Sequence, residues 1–421
     1  MGLVGLVVRV LYVLVVLRHY SPVSDALHYH TMAIEVAAGH GVAHTYPFSF
    51  LHPTAWRPPL YPLLLGGVYA LAGAKLAAAE ALNVALGTAV VVMAALVAWR
   101  LAGSRAGVVA GGLVAVYPPL VFNDGPPLSE PLGLLLLLAT VLLLMHRRAG
   151  WAGVTSGLLV LTRASGQFFV VSLLGWVLWR LGWRRALAYA GCVALVAAPW
   201  VGRNWIRLGS PVLVTSNGFN LNAIYSPEAR ASGGFVDGVF DPRFAALREG
   251  ITSEVELDAA LRRHALASLR EDPRQVLDVV RGNLPAFLEL EPSRNRPAES
   301  ADGRNLRLRD LTSPVVVLMV PLGVAGMWLL RRRAGIGPLV IAAVVFSAAT
   351  LVSVPAPRLR APLDLVCCIA VGGGLAELAG PAARFRLLRP WRRRPTRRAG
   401  CSPLRSPRTP ERRWSRSPSA R

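Results

Sequence analysis

Apolar runs near the length of a bilayer crossing recur along the whole chain, at 79–99, 128–145, 166–179, 186–201, 314–330, 336–354 and 361–379. Lipid offers no hydrogen bonds, so a spanning helix must satisfy every backbone N–H and C=O internally, and it needs about 20 predominantly apolar residues to do so. The runs therefore predict an all-α integral membrane protein, a polytopic bundle of about ten transmembrane helices. A hydrophobic fraction of 53% agrees. The opening run, Leu3 to Leu17, has the look of a signal-peptide core. No small-residue cleavage site follows it and many more spans do, so it reads as a retained anchor.

Short basic clusters separate the runs: Arg100 with Arg105, Arg147 with Arg148, Arg180 with Arg184 and Arg185, Arg331 to Arg333, and the stretch from Arg384 onward. With alternating loops all of them fall on one side, which the positive-inside rule makes cytoplasmic. Segments 19–78, 117–130, 202–313 and 355–362 then lie outside. One run disturbs this count. If "PPLYPLLLGGVYALAG" (58–73) crossed fully, every later basic cluster would change sides, so it is expected to be a re-entrant or interfacial helix. The net charge of +23 would point to nucleic acid in a soluble chain. Here topology accounts for the basic residues, and membrane lipids rather than nucleic acid are the expected surroundings.

Residues 1–380 are expected to form the membrane domain and 381–421 a disordered, Arg- and Pro-rich cytoplasmic tail drawn to anionic lipid. Cys192, Cys367 and Cys368 fall in spans and Cys401 in that tail, so no disulfide framework is expected. The long outer segment opens with a turn-rich stretch, "GSPVLVTSNGFNLN", and becomes helical further on. Ser253 and Glu256 have capping-box spacing, Asp272 and Pro273 fit the start of a second helix, and Leu257, Leu261, Ala265 and Leu269 would share one buried face.

Ionisable residues gather at the outer ends of the spans. Asp25, just after the first span, is either a solvated helix cap, with Ser24 competing for that place, or a functional acid. Downstream, "AWRPPLYP" sets Arg57 beside Pro58 and Pro59, which stiffen the approach of a guanidinium able to grip a phosphate bidentately. Glu130 opens the fourth span, and acids at such depth are rarely idle. Arg358 and Arg360 are either snorkelling cations or phosphate ligands. Arg203 follows Pro199 and Trp200 at a span exit. Asp124, in a Gly- and Pro-rich loop, is equally a turn former. The first outer segment also carries His28, His30, His40, His44 and His52. On a helix His-x-His points its rings apart and no Cys pair joins them, so no metal is expected.

The segments "SDALHYHTMAIEVAAGHG", "PTAWRPPLYPLLLGGVYALAG", "YPPLVFNDGPPLSEPL", "GLLVLTRAS", "APWVGRNWIRLGSPVLVTSNG" and "PAPRLRAPLDL" occur in an order that resembles the membrane glycosyltransferases of GT-C type. The similarity is greatest to the branch of the protein O-mannosyltransferases and the aminoarabinose transferase of lipid A, and it covers about residue 20 to 379. It implies transfer of a sugar from a polyprenyl-phosphate donor to a glycan, lipid or protein acceptor on the extracytoplasmic face, without a cofactor. Asp25 matches the family's first-loop acid and would be the base of an inverting displacement. Arg57, Arg203, Arg358, Arg360 and Arg163 would bind the donor phosphate, and His28, Tyr29, Glu130, Tyr61 and Asn220 would shape the substrate pocket. Ala26 departs from the pattern, since the family's first acid is usually followed by a second acid or a tyrosine. A lipid or glycolipid flippase and an inactive GT-C-like partner are the competing readings. Flippases and other transporters place ionisable residues near the midplane, whereas here they collect at one face.

Overall fold

Proline and glycine cut the apolar sequence into helices, and the computed structural model describes residues 1–354 and 356–379 of the chain. The first, α1 (Gly2–Leu11), runs into a π-helical turn, Tyr12–Val16. There follow α2 (Ser24–Ala37), a two-stranded ribbon of β1 (Ala43–His44) and β2 (His52–Pro53), and α3 (Leu60–Ala72). The bundle continues with α4 (Leu76–Ala102), α5 (Ser104–Val116), α6 (Pro118–Asn123), α7 (Glu130–Met145), α8 (Ala149–Val160), α9 (Gly166–Leu181) and α10 (Trp183–Leu208). The long outer segment folds as α11 (Asn217–Tyr225), α12 (Pro227–Ser232), α13 (Ala245–Arg248), α14 (Glu254–Glu271), α15 (Gln275–Phe287) and α16 (Pro292–Ala301). The chain then returns through α17 (Leu306–Leu330), α18 (Ile336–Leu351), a 3₁₀ turn (Pro357–Arg360) and α19 (Ala361–Leu378). The expected tail, 381–421, lies outside the described residues.

Among the described residues, Leu76–Ala102, Trp183–Leu208, Leu306–Leu330 and Pro357–Leu378 are long and apolar enough to cross a membrane. Shorter apolar helices join them, so the chain is a helical, multi-pass membrane protein. At 13, 13 and 12 residues α3, α5 and α8 are each about 18–20 Å long, short of a hydrocarbon core of about 30 Å, so length does not set α3 apart.

Without water, helix association in lipid depends on close packing and on small residues that let backbones approach. The chain follows this rule. Helix α19 packs against α17, α5 and α4 and forms the centre of the bundle. At Gly326 of α17 a Cβ would come within 2.3 Å of the Ala370 carbonyl on α19. Gly153 and Gly157, four apart on α8, hold the same relation to Tyr189 and Val196 of α10.

One polar contact is built into this packing. Arg9 of α1, 1% exposed, pairs with Asp124 at 2.6 Å and donates to the carbonyls of Ala115 and Gly5, both at 3.2 Å. Asp124 is thus a buried ion-pair partner as well as a loop residue. The pair passes beside Gly87, where an added Cβ would lie 2.3 Å from Asp124 Oδ2 and 2.7 Å from Arg9 Nε. Gly87→Ala is therefore expected to overpack the contact and destabilise the protein by about 1–3 kcal/mol. Thermal unfolding in detergent checks this, and an unchanged midpoint would show that the pair relaxes without cost.

In the outer segment Leu257, Leu261 and Ala265 are buried as their spacing implied. The capping box does not form. Ser253 stands at the N-cap of α14 without a side-chain bond, while Glu254, the next residue, turns inward. The helix expected to open at Asp272 begins at Gln275, with Asp272 Oδ1 accepting from the Arg274 N–H at 3.1 Å.

Candidate functional site

Asp25 lies in the first turn of α2, where the helix dipole favours an anion. The preceding Ser24 has φ 51°, a left-handed conformation uncommon outside glycine, and it sets the entry of the helix. Two guanidiniums from distant segments hold the Asp25 carboxylate: Arg57 pairs with Oδ1 and Arg358 with Oδ2. Arg358 also reaches Asp302 at 3.2 Å and Glu130 at 3.7 Å. Glu130 in turn pairs with Arg163 at 2.8 Å, and its second oxygen is buried without a hydrogen-bond partner among the described residues. Three acids and three arginines thus form one cluster. Its members come from α2, the loop before α3, the start of α7, the turn between α8 and α9, the end of α16 and the turn before α19.

The stretch that carries Arg57 is fixed from two sides. Arg57 follows Trp56, which is buried against Tyr46 and Phe219 at ring distances of 4.9 and 5.2 Å. Glu254 fixes this stretch from the outer segment. It accepts from Thr54 Oγ1 at 2.5 Å, the Ala55 N–H at 3.0 Å, Thr215 Oγ1 at 2.7 Å and His52 at 2.9 Å. Sequence reading passed over Glu254 because its position matched an ordinary first-turn acid. Glu254→Ala orphans these donors, and a loss of about 1.5–3 kcal/mol is expected. A drop in the unfolding midpoint of the purified protein checks it.

Burial works against the charged form of Asp25, but Arg57 and Arg358 outweigh it and hold the carboxyl well below the usual carboxylate range. Asp302 shows the opposite balance: burial keeps it at about 6 despite Arg358 and Arg304. His28, half-buried against Tyr46 at 4.6 Å, is pushed down to about 3 by burial and by Arg57, so its ring is neutral. Tyr29 lies beside the cluster. Its hydroxyl is 3.1 Å from Ser129 Oγ, next to Glu130, and its ring meets Tyr61 edge-on at 5.1 Å. Tyr61 donates to Asn83 at 3.0 Å.

Other candidates lie apart. Arg203 donates to the carbonyls of Thr54 (2.9 Å) and Val42 (2.6 Å) and stacks over Trp200 at 4.8 Å, bracing the first outer segment. Arg360 is fully buried on Asp364 (3.1 Å), Glu289 (3.2 Å) and the Phe287 carbonyl (2.5 Å). Residues two apart in a helical turn do not share a face, so Arg358 and Arg360 diverge. Asn220 is exposed on α11. Asp302, which reads in sequence as a turn residue after α16, was missed. Among the described residues no group of three or more His, Cys, Asp or Glu is placed to hold a metal ion. His30 bonds Tyr69 and His44 bonds Thr31, both at 2.6 Å.

A small space opens beside the cluster, walled by Glu130, Arg163, Arg358, Gly133, Phe346 and Pro362. Charged groups there adjoin the apolar surfaces of α7, α18 and α19, in a crevice of ≈ 10 Å³.

No protein-family model and no curated protein sequence matches the chain. Solved structures do. The oligosaccharyltransferase AglB from Archaeoglobus fulgidus, in complex with an inhibitory peptide and a dolichol-phosphate, superposes with a TM-score of 0.51 at 14% identity, over 92% of this chain and 50% of that one. This chain has a GT-C-type fold. It spans about half the length of AglB. An Archaeoglobus fulgidus oligosaccharyltransferase in complex with Zn and sulfate gives a TM-score of 0.50 at 14% identity, over 92% of this chain and 49% of the other. ArnT from Cupriavidus metallidurans bound to undecaprenyl phosphate gives 0.38 at 14% identity, over 91% and 78%.

Proposed function

We propose that the chain is a membrane glycosyltransferase that moves a sugar from a polyprenyl-phosphate donor to a glycan, lipid or protein acceptor by one inverting displacement. The observation that carries this reading is the Asp25 carboxylate held between Arg57 and Arg358 at one end of a GT-C-type bundle. AglB, of that fold, was solved with a dolichol-phosphate, a ligand of the chemistry such guanidiniums recognise. In this reading ten helices span the membrane, α3 is re-entrant, and the cluster faces the extracytoplasmic side.

The chemistry follows from the ion pairs. A donor phosphate entering beside Arg358 and Arg57 competes with Asp25 for the same N–H groups. The guanidiniums turn to the phosphate and Asp25 loses the partners that depressed its basicity. It then accepts the proton of an acceptor hydroxyl or amine as that atom bonds to the anomeric carbon. The bond from that carbon to the phosphate oxygen breaks, and polyprenyl phosphate leaves with the electron pair, its charge met by the arginines. Glu130 and Arg163 hold Arg358 from behind, and Tyr29 and His28 line the approach.

Purified protein in detergent, given radiolabelled polyprenyl-phosphate sugars and envelope acceptors, should form a labelled glycosidic product. Transport has no meaning there, so absence of product with every donor would end the transferase reading. Sidedness has its own test. Cysteines at the exposed Phe50 and Lys75 positions should both react with an impermeant reagent from outside the cell. Labelling from opposite sides would make α3 a full span.

A further inference from the structure

The cluster described above occupies one end of α7 and α9, with Glu130 in the first turn of α7 and Arg163 just before α9. At the other end, about 24 Å away along 16-residue helices, lies a second charged concavity. It has a volume of ≈ 670 Å³, within the range of ligand pockets, and Arg100, Arg147, Arg180 and Arg333 line it together with Trp176 and Trp179. Arg100 closes α4, Arg180 closes α9, and Arg147 follows α7. Among the described residues no carboxylate lines the concavity. Arg333 is neutralised from outside by Glu377, at 2.6 Å from its Nε, whereas Arg100, Arg147 and Arg180 make no ion pair among the described residues.

Arginines at helix C-termini are favoured singly by the helix dipole, and at a membrane surface they snorkel outward into water. These effects and the positive-inside bias set arginines at this surface, but none of them draws guanidiniums from four different helix ends over one hollow, where they repel one another. An anion filling the hollow removes that repulsion. The wall supplies the rest of the specification: guanidinium forks match phosphate bidentately, and indole rings sit at the level of lipid headgroups. We propose that this end of the bundle is a binding site for a phosphate-bearing ligand, separate from the Asp25 cluster. A basic pocket between helix ends at the membrane surface suits an anionic lipid headgroup, and a soluble phosphate compound shares the recognised chemistry.

The test uses the full chain in a zwitterionic detergent, titrated with phosphatidylglycerol or phosphatidylcholine in mixed micelles, and separately with inorganic phosphate, reading the unfolding midpoint. Phosphatidylglycerol should raise the midpoint with saturation and phosphatidylcholine should not. Arg147→Gln with Arg180→Gln should weaken half-saturation roughly thirtyfold. Arg184→Gln with Arg185→Gln, which removes the same charge from the same end but outside the hollow, should leave it nearly unchanged. All four side chains are exposed, so folding is not at stake. Saturation by inorganic phosphate alone, lost in the first pair only, would assign a soluble phosphate ligand to the same site. Equal loss in both pairs, or no distinction between the two lipids, would overturn the proposal. The readout is binding, so it is independent of whether the chain transfers sugar.

Discussion

Asp25→Asn should lower transfer from a polyprenyl-phosphate sugar by about 10²–10⁴-fold, the range that a positioned general base supplies. The amide keeps the volume and still accepts one hydrogen bond from a guanidinium, so the cluster loses charge rather than shape. Steady-state transfer by the purified variant reads the effect, and turnover within about threefold of wild type would refute the assignment. The pH profile makes the test sharper. Arg57 and Arg358 hold Asp25 below the ordinary carboxylate range, so kcat/KM, which reports the free enzyme, should stay flat through mildly acidic pH. Once the donor phosphate takes the guanidiniums, the carboxyl returns toward its ordinary value. The acid limb of kcat should therefore lie at higher pH than that of kcat/KM. Coincident limbs would mean that the arginines never leave Asp25, and the proposed exchange would fail.

The second large effect concerns stability. Arg358→Gln removes a guanidinium shared by Asp25, Asp302 and Glu130 and leaves three carboxylates with less cationic cover. Removing one partner of a buried ion pair costs about 3–5 kcal/mol, and Arg358 is 11% exposed. The loss should shrink in acid, because protonation relieves the repulsion among the acids. The acids themselves carry opposite signs in the wild type. Asp25, with a depressed value, contributes stability above its unfolded value that is lost only as pH falls through the lower folded one. Asp302, raised to about 6, favours the folded state at low pH and loses that contribution as pH rises through about 6. Unfolding midpoints of wild type and variant from pH 2 to 8 check both statements. A constant gap between them would show that the carboxylates are not electrostatically coupled through Arg358.

Much of this arrangement was legible in the sequence because burial of apolar runs is a local requirement. The run positions, the basic clusters at their ends and the short α3 follow from hydropathy and punctuation. The same logic placed Asp25, Arg57, Glu130 and Arg358 at span ends, the resemblance added Arg163, and the fold gathers those five. It did not predict side-chain direction. Arg360 differs from Arg358 by two positions in one turn, yet it points into the bundle and binds Asp364 and Glu289. Arg203 looked equally available, but the carbonyls of Val42 and Thr54 claim it. Asp302 and Glu254 carry no local signature, since each becomes important only through a segment distant in the chain. The pairing of Arg9 with Asp124, 115 residues apart, was hidden for the same reason.

The acid and its second guanidinium are separated by 333 residues, almost the full described length. During synthesis α2 takes its place while the segment bearing Arg358 has yet to leave the ribosome. A chain that stops before Arg358 lacks both this partner of Asp25 and α19, the helix on which α17, α5 and α4 pack. The contact between Asp25 and Arg358 and the centre of the bundle therefore form together, from the last helices to be made.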